Sequence, residues 1–244
     1  MKTKKYILFG LLIICVAGLT SCSKDKDKDT PDNSVTDADG NKYNTVKIGI
    51  QTWTVENLKT TKYNDGTAIP NVTDGTAWKN LTTGAWCNYD NDAGNNITYG
   101  RLYNWYAVNT GKLCPKGWHI PTDAEWTALR TYMGTDAGIK LKAKGNLTDG
   151  TGLWLKNTSN NTEGINESGF TGLPGGYRNG RSGLVIGEFN DMSYAGFWWS
   201  STVYDDNDED RALYRFLVSN RSTGIEGDYY GVKTDGLSCR CIKD

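Results

Sequence analysis

Residues 114–134 read Cys114-Pro-Lys-Gly-Trp-His-Ile-Pro-Thr-Asp-Ala-Glu-Trp-Thr-Ala-Leu-Arg-Thr-Tyr-Met-Gly134, and the second half of this stretch predicts a helix. Thr122 can accept a hydrogen bond from the first helical turn, and Glu125, three residues on, can reach back to the Thr122 amide; this is a capping box. Trp126, Leu129 and Met133 then recur on one helical face, and Gly134 stops the run. Ahead of the helix, Trp118-His119-Ile120 reads as a core segment. His119, the one histidine of the chain, is expected there as a hydrogen-bonded structural residue.

Working outward, residues 100–108 (GRLYNWYAV) place Leu102, Trp105 and Tyr106 at i, i+3, i+4 spacing and predict a second short helix. Residues 37–69 read as a small β unit, with turns at Asp39-Gly40 and Asp65-Gly66 around two alternating runs, 43–50 and 51–55. Downstream, residues 145–192 are polar and glycine-rich. Strands are predicted at 197–202, 212–218, 229–233 and 237–242. Strands bracketing two short helices, with long loops between, make an α+β domain: the β unit at 37–69, then a main domain over 70–244.

The N-terminus has a different character. Lys2, Lys4 and Lys5 precede an apolar run from Tyr6 to Leu19, too short to span about 30 Å of hydrocarbon comfortably and better read as an export signal. Its ending, Leu19-Thr20-Ser21-Cys22, resembles the lipobox of bacterial lipoproteins, which implies cleavage after Ser21 and acylation of Cys22. Acyl carbons contribute about 0.8 kcal/mol each on burial, so the expected anchor is the lipid, with the membrane as its partner. Residues 22–36 are polar, beginning with alternating lysine and aspartate, and are expected to form a disordered tether. That charged run resembles acidic export signals that send some lipoproteins to the outer face of the outer membrane. Residues 1–21 carry three lysines and no acid, so their removal moves the formal charge from −1 to −4. No basic stripe is left, which argues against nucleic acid as a partner.

Six cysteines reduce to four, since Cys15 leaves with the signal and Cys22 takes the lipid. Cys87, Cys114, Cys239 and Cys241 in an exported chain suggest two disulfides. Cys239 and Cys241 share one face of a strand-like segment but sit too far apart to bond each other comfortably. Each should reach back to Cys87 or Cys114. The favoured pairing is Cys114–Cys241 with Cys87–Cys239, and the swapped pairing is its rival. A link closing more than a hundred residues stabilises by roughly 4–5 kcal/mol in the chain-entropy model. With no CxxC and a single histidine, a zinc-type site is not expected.

No cofactor is required by any motif; calcium is the one metal the acidic loops could take. Asp90 and Asp92 in one loop, and Asp205, Asp206 and Asp208 in another, offer hard oxygens, but neither loop has EF-hand spacing. Signatures of nucleophilic elbows, zincins and phosphate-binding loops are absent from the sequence. Among the aromatics, Trp105, Trp118, Trp126, Trp198 and Trp199 fall in predicted elements and are assigned to the core. Trp78, Trp86, Trp154, Tyr177 and Tyr204 stand in polar surroundings and are the candidate ligand platform.

Several runs in order carry a family resemblance: Asp37-Ala-Asp-Gly-Asn-Lys-Tyr, Tyr99-Gly-Arg-Leu-Tyr-Asn-Trp-Tyr-Ala-Val, the quoted Cys114 stretch, Leu173-Pro-Gly-Gly-Tyr-Arg, Trp199-Ser-Ser-Thr and Ser238-Cys-Arg-Cys-Ile-Lys-Asp. Over residues 37–244 the chain resembles the Fibrobacter succinogenes major paralogous domain. That resemblance implies a surface or secreted protein. Because the family usually ends with a single cysteine, it implies Cys241 as the familial partner of Cys114 and Cys239 as an extra half-cystine for Cys87. The Pro-Thr-Asp-Ala-Glu-Trp helix and the closing Arg-Cys-Ile-Lys-Asp also resemble sulfatase-modifying enzymes, which implies a C-type-lectin-like fold. Glu188-Phe-Asn-Asp191 is the nearest echo of the lectins' calcium-site motifs. The expected function is noncatalytic binding or adhesion at the cell surface, with a polysaccharide or surface protein as ligand. A glycan-active or sulfatase-modifying-like enzyme and a structural surface component are the alternatives.

Overall fold

The computed structural model describes residues 33–156, 162–181, 187–205, 207–225 and 229–244. Cys22, the leader and most of the tether lie outside the described residues. The tether expected to run to residue 36 ends sooner, because β1 (Ser34–Thr36) pairs antiparallel with β2 (Lys42–Ile48). Asp37 organises the turn between them: its carboxylate accepts from the amides of Asp39 and Asn41 and from the Tyr43 hydroxyl at 2.6 Å.

β2 runs through a tight turn into β3 (Gln51–Thr54). Short elements follow: α1 (Gly75–Lys79), β4 (Trp86–Cys87), α2 (Ala93–Tyr99), β5 (Leu102–Tyr103), α3 (Trp105–Val108) and β6 (Trp118–His119). Then come α4 (Asp123–Met133), α5 (Ala137–Leu141), β7 (Gly175–Arg178), β8 (Phe189–Met192), β9 (Ala195–Val203), β10 (Arg211–Val218), β11 (Tyr229–Val232) and β12 (Ile242–Lys243). One five-stranded sheet has the order β1-β2-β3-β12-β6, a second has β11-β10-β9-β7-β8, and β4 and β5 form a two-stranded sheet. Pairing is antiparallel except between β7 and β9, which meet in parallel at Gly176 and Gly196. Gly176 has φ +61°, and a Cβ there would collide with the Asn190 carbonyl and the Tyr89 ring, so this junction needs glycine. The architecture is α+β with short helices. β3 pairs with β12, so the β unit read at 37–69 shares its sheet with the C-terminal strand, and residues 33–244 form one compact unit.

α4 forms with both halves of its capping box, the Glu125 carboxylate accepting from the Thr122 amide at 2.8 Å. Its apolar face is buried against Trp53, Phe170 and Trp198, with Trp53 and Trp126 ring centroids 4.7 Å apart. The helix predicted over 100–108 is shorter than expected. Asn104 caps it by accepting from the Ala107 and Ala85 amides, so helix begins at Trp105 while Leu102 and Tyr103 pair with β4. More helices form than the two predicted, since Asp74 and Asp92 cap α1 and α2 through their side chains.

Cys114 and Cys241 are joined by a disulfide. The expected Cys87–Cys239 bond is not formed; both thiols are free and buried. They stand in different cores. Cys87 packs with Trp78, Tyr89 and Leu102, whereas Cys239 packs with Tyr103, Trp199 and the disulfide. Burial pushes the Cys87 thiol up to about 12 and raises that of Cys239 as well, so neither is a ready nucleophile. The strand predicted at 237–242 shrinks to β12 because Arg240 turns inward. Its guanidinium serves the carbonyls of Thr54, Phe170 and Thr171 and the Asn57 amide oxygen, over the Phe170 ring. Among the described residues, no helix is long and apolar enough to cross a membrane.

Candidate functional site

Strand alternation sets two aromatic faces on β9 and β10. Register pairs Phe197 with Phe216, Trp198 with Arg215, and Trp199 with Tyr214. Trp198 and Leu217 therefore face α4 and the buried core, while Phe197, Trp199, Tyr214 and Phe216 face the opposite way. Trp199 is covered by the β5–α3 segment: its Nε1 donates to the Tyr103 carbonyl, and Trp105 Nε1 donates to the Ser200 carbonyl. Beyond that cover, Phe197, Tyr214 and Phe216 stay half-buried.

Tyr177 from β7 meets Phe197 edge-on at 5.1 Å, Phe197 meets Tyr214 at 5.8 Å, and Phe216 meets Tyr229 of β11 at 4.7 Å. Five rings thus make one ledge on a rigid sheet. A cavity of 420 Å³ opens on its Tyr177–Phe197–Tyr214 end, rimmed by Arg181, Asp191 and Asp235. Burial raises the Asp235 carboxyl to about 6, against the pull of the Gly180 and Val232 amides that donate to it and of nearby Arg181. Burial also raises Asp191. Tyr214 is pushed up to about 12 by burial and the nearby Asp235 charge, so its hydroxyl stays protonated at neutral pH. The site therefore offers flat apolar ring faces, neutral hydroxyls and a charged rim.

Of the platform residues expected from sequence, only Tyr177 stands in this site. Trp78, Trp86 and Trp154 are buried, with 0%, 8% and 2% of their surface exposed. Each indole N–H finds a distant carbonyl: Thr234 for Trp78, Ile69 for Trp86 and Gly172 for Trp154. Arg178 covers Trp78 and Arg101 covers Trp86 by cation–π contacts. Tyr204 is exposed but forms a separate pair with Tyr230, at 4.2 Å. Phe197, Tyr214, Phe216 and Tyr229 were not singled out in the sequence. The available signal was two aromatics two residues apart in the 212–218 strand, which puts them on one face.

The acidic loops are used locally. Asp92 caps α2, Asp205 accepts from the Asn207 amide, and Asp208 accepts from the Asp210 amide and pairs with Arg211. Asp90 is exposed, at φ +52°, and Asp206 lies outside the described residues. Among the described residues no group of three or more His, Cys, Asp or Glu is placed to hold a metal. His119 bonds on both sides, Nδ1 to Asp244 at 2.6 Å and Nε2 to Glu125 at 2.9 Å. Partial burial opposes its charge, but these two carboxylates win and raise its pKa, so it ties the C-terminus to α4.

The family model for the Fibrobacter succinogenes major domain matches residues 46–243. No curated protein and no solved structure matches the chain.

Proposed function

The chain belongs to the Fibrobacter succinogenes major domain family, and on that footing we propose that it is a noncatalytic binding module holding glycans on the Tyr177–Phe197–Tyr214 ledge. The open aromatic strip carries this reading. Half-buried rings fixed by a sheet stack on the C–H faces of sugars without losing much side-chain freedom, and rim polar groups orient the hydroxyls. Pairing of β3 with β12, which brings the two ends of the domain together, supports a C-type-lectin-like architecture. The Leu19-Thr20-Ser21-Cys22 ending supports display by a lipid on Cys22, at the cell-surface face of the outer membrane.

Detergent-solubilised full chain mixed with insoluble and soluble polysaccharides should be retained by at least one. Tyr214→Ala should weaken that retention about tenfold, the equivalent of about 1.4 kcal/mol. If the wild type is retained by no glycan, or the variant binds as well, the ledge is not the site and a structural surface role takes its place. One observation favours a second reading: two carboxyls, Asp191 and Asp235, line the same cavity, and a glycan hydrolase works with a pair of carboxyl groups. Both Asp235 oxygens already accept backbone amides, which favours binding over catalysis. Release of reducing ends from a retained glycan, lost in Asp191→Asn, would reverse that preference.

A further inference from the structure

Beside the ledge lies a larger concavity of 670 Å³ whose walls carry Lys79, Arg181, Arg211 and Lys233 against one carboxylate, Asp210. The side chains come from four places: the end of α1, the segment after β7, the start of β10 and the segment after β11. In a chain whose formal charge past residue 21 is −4, a concave wall with four cations and one acid is a local reversal of sign. Two of the cations have internal work. Lys233 donates to the Glu209 carbonyl and lies 5.0 Å over the Trp105 ring, and Arg211 pairs with Asp208 at 3.5 Å and covers Tyr230. Lys79 and Arg181 form no ion pair among the described residues, and Arg181 is exposed. Arg181 also lines the aromatic cavity, so the two concavities share a wall.

We infer that the ligand is an acidic polysaccharide, one sugar seated on Tyr177, Phe197 and Tyr214 and a neighbouring carboxylate or sulfate held by Lys79 and Arg181. The inference rests on the ledge being the glycan site. A guanidinium matches a carboxylate or sulfate with paired N–H donors, and an ammonium adds a second point of charge. The Tyr106 ring and the Thr234 segment complete the wall. Lys79 and Arg181, the two cations with no ion pair among the described residues, suit one acidic group per repeat. They are too few for the six to ten phosphate contacts, roughly, of a nucleic-acid binder.

The test titrates detergent-solubilised full chain with oligogalacturonate, a chondroitin sulfate oligosaccharide and a neutral galactan oligosaccharide, at low and high salt. At low salt at least one acidic ligand should bind about tenfold tighter than the neutral one. Preference for oligogalacturonate assigns the groove to carboxylates, and binding of the sulfated chain alone assigns it to sulfate. The double variant Lys79→Gln/Arg181→Gln should erase that tenfold advantage, as should high salt, which screens these charges. Tyr214→Ala should weaken both kinds of ligand. Equal affinity for acidic and neutral glycans, with no effect of the double variant, would overturn the acidic assignment while leaving the ledge intact. Retention of a single-stranded oligonucleotide as tight as that of the acidic glycan would overturn it too. If nothing binds and Tyr214→Ala changes nothing, the ledge itself has failed, and this inference with it.

Discussion

On one face of the β9–β10 hairpin, Trp198 and Leu217 are fully enclosed by Trp53, Trp126 and Phe170; on the other, Phe197, Tyr214 and Phe216 stay half-open to solvent. Both faces carry aromatic side chains, so ring chemistry does not separate them. Cover does. The α4 helix lies across the first face, whereas α3 and the β5 segment cover only the Trp199 end of the second. An aromatic under cover stabilises the fold, and the same kind of residue two positions along, without cover, is surface available to a ligand.

The sharpest way to break that comparison is to truncate one ring on each face. Trp198→Ala should cost about 3–5 kcal/mol, as a large side chain lost from a closed core leaves a cavity. Tyr214→Ala should cost under about 2 kcal/mol, because its ring already meets water. Urea unfolding of both variants measures the difference, and equal losses would show the ledge to be core after all.

Asp235 sharpens the comparison at the rim. Its folded pKa of about 6 lies above the ordinary 3.8, so between these values the folded protein keeps a proton that the unfolded chain has released. The stability this contributes is complete below about pH 4 and is lost as the pH rises to about 6. Asp235→Asn cannot titrate, so the melting-temperature gap between it and the wild type should change across that window and stay level above it. A gap that is constant with pH would show that burial does not perturb this carboxyl.

The smallest effect belongs to the covered side. Thr122→Ala removes one half of the capping box and should cost about 1 kcal/mol by thermal melting, with glycan retention unchanged. Altered retention would mean that α4 and the ledge are coupled across the sheet.

Local signals in the sequence specify local structure. Thr122, Glu125, Trp126 and Gly134 act within one or two turns of one another, and the helix they specify forms between those residues. The β2–β3 pairing was likewise visible in its alternation and turn. The 212–218 strand was visible too, but its sense was not. Alternation there would ordinarily place Tyr214 and Phe216 inward and Arg215 outward. The fold inverts this. Arg215 is buried and paired with Asp123 at the start of α4, which leaves the rings on the open face. A charged residue chooses the inside only when its partner is already there, and that partner lies far away in sequence. Trp78 shows the same limit. Its neighbours are polar, yet Thr234, 156 positions on, takes its indole N–H.

From sequence alone came the family resemblance, the capped helix and the adjacent runs of β2 and β3, since each rests on residue identity or on contacts within a few positions; the Cys114–Cys241 link was one of two pairings the sequence left open. Which tryptophans are enclosed, why Cys87 and Cys239 stay apart, and where an aromatic strip is left uncovered were decided only by the tertiary structure. Burial is a sum over neighbours brought together by folding, and no local window of the chain contains that sum.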